Sequence, residues 1–482
     1  MNPEPGATIK APARRPHVAA RRPPRPRRRE LGLLAIVAIS LALGSASLAA
    51  SRAMATGTPL FAEGALADGA ALGVYLAGLL AAHAALVLSG RRTDQVLLPT
   101  VGLLGGISLL LMERLPQTLG GGLGLGRTQL VWLLVSIGII AAIGALVRSD
   151  AWLRLYKYSW AAFGVGLLLL TFILGHDVNG QRLTLSIGPF SGQPSELLKV
   201  ILVVFLSGYL SENRQMLIDE STSVGPIRLP PLPYLAPMLA MWAIALAIVI
   251  VQRDLGAALL FFLVFLALLY VATARASFVL LGIAALLVGG AVLYGLLPHV
   301  RVRVDIWLDP FATASGNGYQ VVQALHAFAR GGILGTGLGA GLPTVGDLPP
   351  GGIPALHTDF PFAALGEELG LLGVMAILGL YLVVVQRGLR IAVAAADDFR
   401  ALLAAGLSLV VGVQAFIIAG GNLKLIPLTG ITLPFISYGG SSLITNGVVV
   451  GLLLALSDRA VEAPPAPSAA RGFRRLRDRG AA

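Results

Sequence analysis

Apolar residues fall along this chain in long unbroken runs, separated by short polar stretches rather than alternating with them. Runs such as 31–50, 71–88, 231–251, 255–273 and 277–297 reach or approach the ~20 residues that carry a helix across ~30 Å of hydrocarbon. Candidate spans begin near Leu31, Ala71, Val96, Gln129, Ser159, Glu196, Pro231, Leu255, Ser277, Pro361, Ala401 and Leu443. That is about twelve helices, the one near Glu196 reading as short. An even number places both termini on one side of the membrane.

A different pattern occupies the long polar interval between the spans near Ser277 and Pro361. In GYQVVQALHAFARGG, Val321, Val322, Leu325 and Phe328 recur at helical spacing, while Gln323, His326 and Arg330 share the opposite face. This predicts an amphipathic helix over 318–330 that lies at the interface or folds back into the protein. The glycines that follow would let backbone approach a ligand closely; a flexible surface loop is the simpler alternative. A third pattern, GGNLKLIPLTGITLPFISYGGSS at 420–442, is apolar yet full of helix breakers. Non-helical backbone at membrane depth persists only when buried in protein or lining a wet cavity.

Composition agrees with a polytopic α-helical membrane protein: 56% of residues are hydrophobic and 12% charged. Cations fix the orientation. The arginine-rich first thirty residues, then Arg91 and Arg92, then Arg148, Arg154 and Lys157 all fall on one side when the spans alternate. Arg275, Arg387, Arg390, Arg400 and the basic C-terminal tail join them. Both termini are therefore expected in the cytoplasm and Asp359 on the outer side. The net charge of +12 resides largely in the two tails, where attraction to anionic lipid is favoured over nucleic-acid binding. The first apolar run is read as a retained anchor rather than a cleaved signal peptide. The chain has no cysteine, which excludes disulfides and thiolate metal sites. No nucleotide-binding fingerprint and no HExxH zinc motif are present.

Ionisable residues inside or beside spans mark candidate chemistry. His357, Thr358 and Asp359 open a span that also carries Glu367 and Glu368. Glu196 and Lys199 are spaced to pair with each other or to meet a substrate. Asp254, next to Arg253, separates two apolar runs and could be a structural turn or a functional group.

Five of these stretches resemble the SEDS family of peptidoglycan glycosyltransferases, in the family's order: QPSELLK (193–199), QRDLGAALL (252–260), GYQVVQAL (318–325), HTDFPFAALGEELGLLG (357–373) and PLTGITLPFISYGGSS (427–442). The resemblance covers roughly residues 96–458. It implies a core of about ten helices at 93–458, preceded here by a transmembrane hairpin at 31–92, a disordered basic arm at 1–30, and followed by a basic tail at 459–482. Arg253 stands where the family usually has proline, and Leu183 where tryptophan is common.

The resemblance further implies polymerisation of lipid II on the outer face of the bacterial cytoplasmic membrane, with a class B penicillin-binding protein as partner. Asp359 matches the family's catalytic carboxylate. An α-linked diphosphate donor becoming a β-1,4 glycoside inverts the anomeric centre, so one general base suffices, unlike the carboxyl pair of glycosidases. Substrate contacts are expected from Arg182, Gln193, Glu196, Lys199, Gln323, Arg330, His357, Lys424, Ser437, Tyr438 and Ser441, with Arg182, Arg330 and Lys424 offsetting leaving-group charge. His357 would orient Asp359 or cap its helix. Glu368 is expected to order the bundle rather than react. No cofactor is certain; a divalent cation, magnesium or manganese, could assist at the diphosphate. A lipid II flippase is the rival reading and a division or elongation scaffold the third.

Overall fold

The computed structural model describes residues 26–57, 63–115, 124–178, 181–187, 190–219, 222–224, 227–229, 253–341 and 352–458. The expected span at 231–251, most of the N-terminal arm and the C-terminal tail lie outside the described residues. The elements in order are α1 (Arg28–Thr56), α2 (Glu63–Leu88), α3 (Leu97–Glu113), α4 (Leu125–Leu146), α5 (Ala151–Leu155), α6 (Lys157–Leu174), β1 (His176–Val178), β2 (Gln181–Ile187), β3 (Phe190–Gly192) and α7 (Pro194–Asp219). Then follow β4 (Thr222–Val224), β5 (Ile227–Leu229), α8 (Leu255–Thr273), α9 (Ala276–Leu296), α10 (Pro298–Leu308), α11 (Tyr319–Gly331), α12 (Pro361–Val393), α13 (Asp398–Asn422) and α14 (Gly440–Leu456).

Among the described residues, nine helices are long and apolar enough to cross a membrane, and α3 and α14 are shorter apolar helices. Each matches an expected span. The span near Glu196 is the main difference: α7 is 26 residues long and largely enclosed by its neighbours. Its charges made it look short, but they satisfy one another inside the protein. The expected amphipathic helix is α11, with Val321 and Val322 buried and Arg330 exposed. The strands were not expected. β1, β2 and β3 form an antiparallel sheet on the segment before α7, with His176 opposite Thr184 and Leu185 opposite Gly192; β4 and β5 form a hairpin.

Small residues bring the core helices together, as is usual where lipid removes the hydrophobic drive for helix association. Gly447 and Gly451 of α14 seat against Ser136 and Ile143 of α4, and Gly388 of α12 faces Ser408 of α13. The N-terminal pair packs on this core. Gly106 of α3 receives Leu41 of α1, and the Tyr75 hydroxyl of α2 donates to the Gly102 carbonyl at 2.8 Å. α1 starts within the segment expected to be disordered, because Arg27 is buried against Glu30 and the Thr93 hydroxyl. By contrast α9 touches little besides α8 and α10, and Leu280, Leu287 and Val288 are exposed on it, as a lipid-facing helix requires.

α12 is broken at Gly370, where φ is 65° and ψ −170°. The chain after α11 fills the break. Thr336 and Gly337 donate to the Glu367 and Glu368 carbonyls at 3.0 Å, while Leu371 and Leu372 donate to the Gly332 and Ile333 carbonyls at 2.9 and 3.2 Å. The four groups orphaned by the interruption are thus paired by one loop, as burial in an apolar medium demands. Gly335 and Gly337 adopt φ of 83° and 101° to achieve it, a conformation that favours glycine.

Candidate active site

Asp359 sits one residue before the N-cap of α12, in a turn formed by residues 354–359. The amides of Thr358 and Asp359 both donate to the Ala355 carbonyl, at 3.1 and 3.0 Å. Two other parts of the chain hold this turn. Asn422, at the end of α13, donates from Nδ2 to the Asp359 carbonyl at 3.0 Å. The non-helical segment before α14 grips the neighbouring residues: Ser437 Oγ donates to the Thr358 carbonyl at 2.6 Å, and the Tyr438 amide to the His357 carbonyl at 2.8 Å. Ser437 Oγ also accepts from the Leu433 amide at 2.7 Å. The breaker-rich stretch at 420–442 is therefore a buried brace that fixes the backbone on which Asp359 is carried.

That brace is itself anchored from behind. Ser108 of α3 donates to the Ile436 carbonyl at 2.6 Å, Gln129 of α4 to Ser108 at 2.8 Å, and the Tyr381 hydroxyl to the Pro434 carbonyl at 2.5 Å. Phe435 takes φ 63°, an uncommon conformation for an aromatic residue that persists where its surroundings over-determine it.

Burial raises the Asp359 pKa above the usual carboxylate value, opposed by a hydrogen bond from Thr358 and by the charge of Arg303. Arg303, in α10, donates to the Thr429 carbonyl at 2.9 Å and so is tied to the same brace. Its charge also acts on Asp254, whose carboxylate caps α8 by accepting from the Ala257 amide at 2.9 Å. Burial, the first cause, raises the Asp254 pKa, and Glu196 adds to the rise. Asp254 is thus the helix cap that the turn reading allowed, while its Oδ2 is buried with no hydrogen-bond partner among the described residues. Sequence reading missed Arg303. Its signal was an arginine in a loop expected on the outer side, where cations are sparse.

The remaining expected residues separate into groups. Glu196 and Lys199 pair at 2.6 Å, and Lys199 Nζ also donates to Gln414 at 2.9 Å and Asn446 at 3.3 Å. Thr432 Oγ1 donates to Glu196 at 3.1 Å. The structural pairing is thereby realised, within a network joining α7, α13, α14 and the brace. Gln193 donates its amide to Ser441 Oγ at 3.1 Å, linking the start of α7 to the start of α14.

His357 lies edge-on against Tyr438, with ring centroids 5.7 Å apart. Its Nδ1 is buried without a partner among the described residues, and the N-cap of α12 is Phe360, with no side-chain cap. Burial lowers the His357 pKa and raises that of Tyr438. Lys424 Nζ reaches the Leu308 carbonyl at 3.2 Å and remains accessible. Gln323 is half-buried on α11. Arg330 pairs with Glu367 at 2.8 Å, with about a third of its side chain exposed, and Glu368 pairs with Arg114, the residue that follows α3. Both glutamates tie the first part of α12 to its neighbours, which agrees with an ordering role for Glu368. Arg182 belongs to β2; its side chain lies outside the described residues.

The cell cycle protein family of FtsW, RodA and SpoVE matches residues 94–461. The peptidoglycan glycosyltransferase RodA of Mycobacterium tuberculosis (strain ATCC 25618 / H37Rv) is 41% identical over 387 residues, 79% of this chain and 81% of that protein. The probable peptidoglycan glycosyltransferase FtsW of Nitrosococcus halophilus (strain Nc4) is 40% identical, covering 68% of this chain and 82% of that protein. A solved structure described as "Structural coordination of polymerization and crosslinking by a peptidoglycan synthase complex" superposes with a TM-score of 0.59 at 27% identity, covering 76% of this chain and 98% of that one. The helical membrane architecture, the ordered motifs and these matches together place the chain in the FtsW, RodA and SpoVE family.

Proposed function

We propose that this multi-pass membrane protein polymerises lipid II, with Asp359 as the general base and its site on the outer face of the cytoplasmic membrane. The chain is a peptidoglycan glycosyltransferase, as its RodA and FtsW relatives are named. The observation that carries the finer reading is the placement of Asp359: a carboxylate at the mouth of a span, on a backbone pinned by Asn422, Ser437 and Tyr438, beside the charge of Arg303.

Asp359 takes the proton from the attacking 4-hydroxyl as that oxygen displaces the diphosphate at the anomeric carbon. The diphosphate departs with its own negative charge and requires no proton from the protein. A base with a raised pKa binds that proton more readily. Arg303, tied to the brace, and the accessible Lys424 can oppose charge on the diphosphate. The described residues gather no group of three acidic or histidine side chains. A magnesium or manganese ion would be held by diphosphate oxygens and water together with one or two carboxylates, as such ions commonly are. A class B penicillin-binding protein is the partner we assign; the structural neighbour that couples polymerisation to crosslinking supports it.

The test is polymerisation of fluorescent lipid II by purified protein, with and without such a partner. Asp359→Asn keeps the shape of the side chain but cannot accept the proton. It should lose roughly 10²–10⁴ in rate with the folded yield retained. Near-normal polymer formation by the folded variant would overturn the assignment, and lipid II translocation without polymer formation by the wild type would favour a transporter instead.

A further inference from the structure

The end of α12 remote from Asp359 opens onto a second, unassigned cavity. It forms where the start of α1, the link between α2 and α3, the last turns of α12, the start of α13 and the end of α14 converge. It is open to solvent, and Val96, Ile391 and Leu456 supply apolar wall.

Seven arginines line this basin against two aspartates. Four of them are satisfied internally. Arg27 pairs with Glu30, and Arg387 with Asp94; Arg91 pairs with Asp458 at 2.8 Å, and Arg400 with Asp150 at 2.7 Å. Arg29, Arg92 and Arg390 are exposed and form no ion pair among the described residues. The two aspartates of the basin are already paired with Arg387 and Arg91. The adjoining segments 1–25 and 459–482 are themselves rich in arginine.

We propose that this basin binds the phosphate of an anionic lipid headgroup. Three observations converge on that chemistry. The four pairs hold the basin's walls in place, so the three remaining guanidinium groups project from a fixed frame. A guanidinium fork matches phosphate oxygens in a bidentate manner. The basin also lies at the ends of spanning helices, at headgroup depth, where basic pockets between spans favour anionic lipids. The apolar wall beside the arginines gives the upper acyl chain a surface to follow, which a soluble phosphate would leave uncovered. The site is separate from the glycosyl-transfer chemistry, since α12 places the two at its opposite ends.

The test compares the full-length protein with the triple variant Arg29→Gln, Arg92→Gln, Arg390→Gln and with its Arg→Lys counterpart. Binding is read by native mass spectrometry with short-chain phosphatidylglycerol, phosphatidylcholine and inorganic pyrophosphate. Wild type should prefer phosphatidylglycerol over phosphatidylcholine at least tenfold. Each basic residue near a headgroup contributes roughly fivefold, so the glutamine variant should weaken phosphatidylglycerol binding on the order of a hundredfold, while the lysine variant, which keeps the charge but loses the bidentate fork, should fall between the two. The altered side chains are exposed and unpaired, so an unchanged melting temperature is expected. An unchanged preference in the glutamine variant would assign lipid binding to the basic tails and overturn the proposal. Pyrophosphate binding as tight as that of the lipid, and lost in the same variant, would overturn the lipid source in favour of a soluble phosphate.

Discussion

Asp359 and Arg303 show what one residue does to another across the fold. Burial raises the Asp359 pKa and Arg303 lowers it, so removing the cation lets the pKa climb further. A base acts in its ionised form; activity falls as pH drops through its pKa. Arg303→Gln should therefore move the acid limb of the kcat/KM–pH profile to higher pH, in addition to any loss of rate at the plateau. A profile that keeps its acid limb would remove Arg303 from the electrostatics of the site. Asp359 was legible in the sequence because a charged residue at the mouth of an apolar run demands a reason. Arg303 was not, because Asp254 and Asp359 come near it only when α8, α10 and the turn before α12 assemble. Ser437 and Tyr438 were legible as important, yet the structure uses the Ser437 hydroxyl and the Tyr438 amide to hold the backbone at 357–358.

At the scale of elements, charge and glycine decide where helices can stand. Lys199 is 1% exposed and serves Glu196, Gln414 and Asn446. Removing one partner of such a buried pair costs about 3–5 kcal/mol, whereas replacing both together costs far less. Lys199→Met should collapse the thermal stability of the detergent-solubilised protein, and adding Glu196→Gln should restore part of it. Gly370→Ala is expected to cost roughly 1–3 kcal/mol through backbone strain alone, and more because a Cβ there would collide with the backbone of Ile333 and Gly335. Light-scattering or intrinsic-fluorescence melts check both. The periodicity of Val321, Leu325 and Phe328 was enough to predict α11. The break in α12 was not predictable, since Gly370 is one of many glycines and its partners lie in a loop remote in sequence. The strands before α7 were hidden for a related reason: paired strands this short show no alternation long enough to read.

Over the whole molecule, the N-terminal pair is joined to the core more closely than an appended hairpin need be. Ser51 donates to the Leu338 carbonyl at 2.7 Å, Arg52 to the Glu113 carbonyl at 2.8 Å, and Arg27 reaches across to Thr93. The matched motifs all lie beyond residue 92, so deletion of residues 1–92 should leave a polymerase per folded molecule. These contacts predict that the folded yield falls with it; normal folding without activity would instead give the pair a direct part in the reaction. The spans were legible from run length alone, and the orientation rests on the loop arginines. A cysteine placed at Ser315 should label from outside intact cells, and labelling from the cytoplasm only would reverse the topology. The splice in α12 has one more consequence. In a continuous helix the amides of Leu371 and Leu372 would report on that helix alone. Here their acceptors are Gly332 and Ile333, so the two protons are sealed by the loop that follows α11 and released when it lifts. They are a built-in clock for that loop: deuterium uptake at two adjacent leucines times its departures, without a probe attached anywhere near the site.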